Sequence, residues 1–131
     1  MKNSSKIIYV KKRKFILIKK EDFKMGSKMP KCKITVLKRS INKDLIEEYI
    51  IDRYHDINLC ERFEDGQEFI IDPNLASVPE GFCDWAWADI RKDIMTIASG
   101  GNIIGMRQKG TVITGCTDWF RPVIFRIERL E

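Results

Sequence analysis

The chain has 131 residues, 44% apolar and 33% charged, which fits one globular domain and excludes a disordered composition. No apolar run approaches the roughly 18–20 residues of a membrane span, and no unbroken apolar stretch with a small-residue cleavage site marks a secretory signal, so the sequence reads as cytoplasmic. The net charge of +5 is unevenly divided: residues 1–31 hold 11 of the 24 Lys and Arg but two of the 19 acids, giving +9 there and −4 on the remaining 100 residues.

The N-terminal segment, residues 1–28, reads as a basic extension. Two short β-like runs, Ile7–Val10 and Phe15–Ile18, are joined by four adjacent cations, Lys11–Lys14. Those cations repel, and the joint lacks the Asn-Gly or Asp-Gly of a tight hairpin, so a loose extension is expected. Met25 and Met29 each offer an alternative start, and the folded domain is expected over 29–131.

From Cys32 the pattern becomes regular. Ile34 and Val36 alternate with Lys33 and Thr35, as in a half-buried strand. Asn42 is placed to cap a helix on which Leu45 pairs with Tyr49 and Ile46 with Ile50. Asp56 to Glu64 is polar and irregular, and Gln67–Asp72 predicts a second strand stopped by Asp72-Pro73-Asn74. Beyond Pro79 and Gly81, a helix is predicted over Asp84 to Ser99 and closed by Gly100-Gly101. Trp87, Ile90, Ile94, Ile97 and Ala98 share its apolar stripe, whereas Trp85 projects with Asp89, Lys92 and Thr96. Thr111–Thr117 and Pro122–Leu130 predict a closing hairpin. The order β-α-β-α-β-β implies an α+β fold, a small antiparallel sheet of about four strands with two helices.

Three segments, CERFEDGQEFIID, VPEGFCDWAWADIRKDI and CTDWFRPVIFRIERL, resemble the motifs of a family of small prokaryotic proteins of unknown function. The resemblance covers roughly Met29 to Glu131 and leaves the basic extension outside it. It implies a compact stand-alone domain and no particular activity. The family pattern has cysteines at the positions of Cys60, Cys83 and Cys116 and a Gly-Gln pair at Gly66 and Gln67. Trp119 stands where its last motif usually has glycine.

In a reducing compartment the four cysteines read as thiols rather than disulfides. Cys60, Cys83 and Cys116 are the sharpest candidates for chemistry, since thiolates hold soft metals and iron–sulfur clusters and attack electrophiles. Cys83 also precedes a predicted helix, where free N–H groups favour an anion, although Asp84 opposes it. Against a metal site, there is no CxxC pair, and intervals of 23 and 33 residues match no common metal module. Burial as small apolar side chains is the competing reading, strongest for Cys32.

The other candidates are weaker. Phe82, Trp85, Trp87 and Trp119 are aromatic residues able to wall a ligand pocket, and an exposed Trp85 also suits a subunit contact in a homo-oligomer. His55 is the only histidine, and a catalytic Cys–His pair needs it folded beside one of the three thiols. The acidic stretch from Asp56 fails the calcium-loop pattern, having Cys60 at position 5 and Glu61 at position 6. Gly100–Gly105 ends a helix instead of opening one and is not a phosphate loop. Three functions remain open: a binding or accessory protein with a thiol-held metal or redox centre, a nucleic-acid-associated protein acting through residues 1–31, or a thiol enzyme centred on Cys83.

Overall fold

The computed structural model describes residues 6–10, 14–18, 28–75 and 77–131. Two runs of the basic extension pair as antiparallel strands, β1 (Lys6–Val10) and β2 (Lys14–Ile18), with Ile8 opposite Ile16. Sequence reasoning expects a loose extension there. It weighs the repelling cations of the joint above the β-branched runs on either side, and the strands pair nonetheless.

The remaining elements are β3 (Cys32–Arg39), α1 (Lys43–Tyr49), a single 3-10 turn at Asp52–Tyr54, β4 (Glu68–Ile71), α2 (Asp84–Ala98), β5 (Thr111–Gly115) and β6 (Val123–Arg129). The four strands β3 to β6 form an antiparallel sheet in the order β4-β3-β6-β5. The fold is therefore α+β, with the element order the sequence implies.

Alternation decides which face is buried. Cys32, Ile34 and Val36 of β3 and Val123, Phe125 and Ile127 of β6 all point into one core, each no more than 1% exposed. Helix α2 lies across that face because Ala86, Ile90, Ile94, Ile97 and Ala98 recur along one stripe. Its last turn ends in glycine for a physical reason. Gly100 takes φ +95°, and its N–H donates to the Ile97 carbonyl at 3.2 Å, while that of Gly101 donates to the Thr96 carbonyl at 2.9 Å.

An aromatic cluster fills the end of the core. Phe63 sits 5.0 Å from Phe82, 5.2 Å from Phe125 and 6.1 Å from Phe69 by ring centroid, in edge-to-face contacts. Trp87 packs on Phe82 at 5.9 Å. The opposite face of the sheet carries charge. Lys33 lies 3.4 Å from Glu68 and 3.8 Å from Glu128, and Arg126 lies 3.1 Å from Glu128. The Arg126–Glu128 contact is an ion pair without hydrogen-bond geometry.

One irregularity sets the direction in which the end of β3 presents its side chains. Between Val36 and Lys38 the pairing with β6 shifts by a residue, a β-bulge at Leu37. Arg39, rather than Lys38, then stands opposite Val123 at the core side of the sheet end.

Candidate functional site

The pocket lies where three loops meet the start of α2. Cys83 is the N-cap of that helix, with extended backbone (ψ 124°), and its carbonyl accepts the Trp87 N–H at 2.9 Å. Its side chain makes no capping hydrogen bond, so the thiol is not consumed by the helix end. Cys116 follows β5 directly. Its N–H donates to the Val123 carbonyl at 3.1 Å, and its Sγ accepts the Val123 N–H at 3.4 Å. Cys60 is held through its carbonyl, which accepts Nη1 of Arg39 at 2.9 Å, while Nε of the same arginine meets Asp65 at 3.1 Å.

The segment from Cys116 to Arg121 forms the rim, and hydrogen bonds hold it at several points. Asp118 Oδ1 accepts the N–H groups of Phe120 and Arg121, both at 3.1 Å, which folds the turn locally. Asn42 Nδ2 donates to the Trp119 carbonyl at 2.6 Å, and the Asn42 N–H donates to that of Phe120 at 2.9 Å. Asn42 thus sits at the N-cap of α1 as expected but spends its amide on the rim instead of on its own helix. Thr117 joins the rim to α2. Its N–H and hydroxyl both donate to Asp89 Oδ2, at 2.7 and 2.9 Å, and the indole Nε1 of Trp85 meets the hydroxyl oxygen at 3.2 Å.

These restraints bring together residues that the sequence keeps far apart. Cys60, Cys83 and Cys116 all line one open pocket of about 420 Å³, with Trp85, Trp119 and Phe120 and the charged groups Arg62, Asp118 and Arg121. None of the three is disulfide-bonded, and each is partly buried. Among the described residues, no group of three His, Cys, Asp or Glu side chains is placed to hold a metal ion. A thiolate-bound metal or iron–sulfur cluster therefore draws on the shared lining alone, without a ready ligand set.

No family model, curated protein or solved structure matches the chain. The reading of the pocket accordingly stands on its own residues.

The structure places the other candidates elsewhere, Trp87 against Phe82 among them. Phe82 does not line the pocket: it is 3% exposed and belongs to the aromatic cluster. The preceding Gly81, at φ +77°, turns the chain so that Phe82 faces inward one residue before the thiol. His55 is not among the lining residues either. Its Nε2 lies 2.6 Å from the Ile50 carbonyl, in the segment between α1 and the Cys60 loop. Cys32 is wholly buried on β3 away from the pocket, and burial pushes its thiol pKa up despite the nearby Arg129 charge.

Arg62, Arg121 and Phe120 escaped the sequence reading as site residues. Their one signal was a place inside the cysteine motifs. Gly66 and Gln67 play a structural part. Gly66 takes φ +84°, its N–H donates to the Val36 carbonyl at 2.7 Å, and the Gln67 carbonyl accepts the Val36 N–H at 2.8 Å, tying the Cys60 loop to β3. No helix among the described residues is long and apolar enough to cross a membrane.

Proposed function

We propose that the protein is a small binding protein whose working centre is this pocket, and that its thiols touch the bound group. The observation that carries the reading is the convergence of Cys60, Cys83 and Cys116, separated by 23 and 33 residues, on one cavity. Three unrelated burial sites would have scattered them, as Cys32 is scattered. Loops gathered over a rigid sheet and helix are a common way to assemble a site.

Phenylarsine oxide tests it. Trivalent arsenic bonds to two neighbouring thiols with release of water, so one arsenical per chain should persist in native mass spectra against a monothiol competitor. Cys32→Ala should retain the adduct. Cys60→Ser, Cys83→Ser and Cys116→Ser should each weaken it, and the triple variant should lose it. Capture that is absent from the unmodified protein, or equal in the triple variant, would show that the thiols do not act together.

A further inference from the structure

We propose that the pocket takes a flat aromatic ligand bearing an anionic group, its ring against Trp85 and Trp119 and its anion on Arg62. The proposal deepens the reading of the pocket as the binding centre and rests on it.

Trp85 and Trp119 are 70% and 67% exposed, an unusual state for the largest apolar side chains of the chain. Neither is loose. Asp89 Oδ2 takes both the N–H and the hydroxyl proton of Thr117, so the Thr117 oxygen is left with lone pairs facing the indole N–H. That relay fixes the Trp85 ring at the pocket mouth, and Asn42 fixes the backbone beneath Trp119. The Trp85 indole, held by its hydrogen bond, and the exposed Trp119 ring beside the same pocket offer surfaces for a planar partner.

Charge defines the rest of the ligand. Arg62 and Arg121 oppose Asp118 in the lining, leaving one positive charge in excess. Asp118 is committed to its own turn and lies 3.6 Å from Arg121. Among the described residues Arg62 makes no ion pair. A guanidinium with no ion pair or hydrogen bond among the described residues, in one lining with two exposed indoles, suits a carboxylate, sulfonate or phosphate on an aromatic ring. The volume of about 420 Å³ admits a two-ring molecule.

Isothermal titration with three probes separates the contributions: 2-naphthoate, the uncharged 2-naphthalenemethanol and the non-aromatic cyclohexanecarboxylate. The full chain should bind naphthoate about tenfold more tightly than either of the others. Arg62→Gln should remove about that factor for naphthoate and leave the alcohol unchanged, whereas Trp85→Ala should weaken both aromatic probes. Both side chains are exposed, and circular dichroism melts establish that the variants fold. Equal binding of acid and alcohol, or equal weakening of both by Arg62→Gln, overturns the proposal. So does concentration-dependent self-association that Trp85→Ala abolishes, which would make the indoles a subunit contact. Arsenical capture with no preference for naphthoate refutes the ligand class alone, and a naphthoate preference without arsenical capture refutes the role of the thiols alone.

Discussion

Replacing Arg129 by methionine should cost far more than a substitution at the end of a final strand ordinarily would. A helix ends with carbonyls that have no partner inside it, and α2 meets that need with a side chain from β6. Nη1 of Arg129 donates to the Ile97 carbonyl at 2.8 Å and to that of Gly101 at 3.1 Å, and Nη2 reaches Asn102 at 3.4 Å. Hydrogen bonds to a charged group contribute about 1.5–3 kcal/mol each, and a cation at a helix C-terminus adds about 0.3–1 kcal/mol. The Ile97 carbonyl also accepts from Gly100 at 3.2 Å, so it is not wholly orphaned by the change. A net loss of about 2–3 kcal/mol is expected, which lowers the thermal midpoint of a domain this size by about 10–20 °C. Methionine keeps the stem's packing, so the loss reports the guanidinium. Lysine should recover only part, because its ammonium, on a flexible stem, has no second nitrogen to reach Asn102 while the first meets both carbonyls. Urea denaturation of the three proteins measures the difference. A loss below about 0.5 kcal/mol for methionine, or a lysine variant equal to the unmodified protein, would show that the helix end does not depend on this bridge.

Two further outcomes rest on burial. Trp87→Ala should destabilise by about 2–3 kcal/mol, since the ring is partly buried on Phe82, while the exposed Trp85→Ala should cost under about 1 kcal/mol; equal losses in urea denaturation would contradict the helical phase. Burial raises the Cys32 pKa in the folded chain, so the folded state holds this proton more tightly than the unfolded state does. The stabilisation is complete below about pH 8.5 and is lost as pH rises through the raised folded value. Urea midpoints at pH 7 and pH 10 should therefore fall less in Cys32→Ala than in the unmodified protein, and identical declines would refute the assignment.

The parts legible in the sequence are those governed by a period or a fixed local rule. The 2-residue alternation of Cys32, Ile34 and Val36, the stripe from Ile90 to Ala98 and the glycine stop at Gly100 were all readable, and each stands in the structure. Phe63 was not readable, because a lone apolar residue in a polar stretch has no period, yet it is the hub of the aromatic cluster. The shared cavity of the three thiols was only a conjecture, since it depends on the β5–β6 turn lying beside the start of α2. That proximity is set by α2 packing on β5 and β6, elements far apart in the chain. Thr117 illustrates the same limit. Its two partners, Trp85 and Asp89, lie on α2, and no local pattern announces them.

The bulge at Leu37 gives β3 a spare residue. Leu37 and Lys38 together face the single position Ile124, so the strand is one residue longer than its neighbour requires. A chain that dropped Leu37 would regain strict alternation with Arg39 still opposite Val123, within reach of the Cys60 carbonyl. Dropping Thr35 instead would put the residues before it out of phase with those after it and turn Cys32 and Ile34 toward water. Length variation in this strand is thus tolerable at the bulge, two residues before the arginine that holds the Cys60 loop.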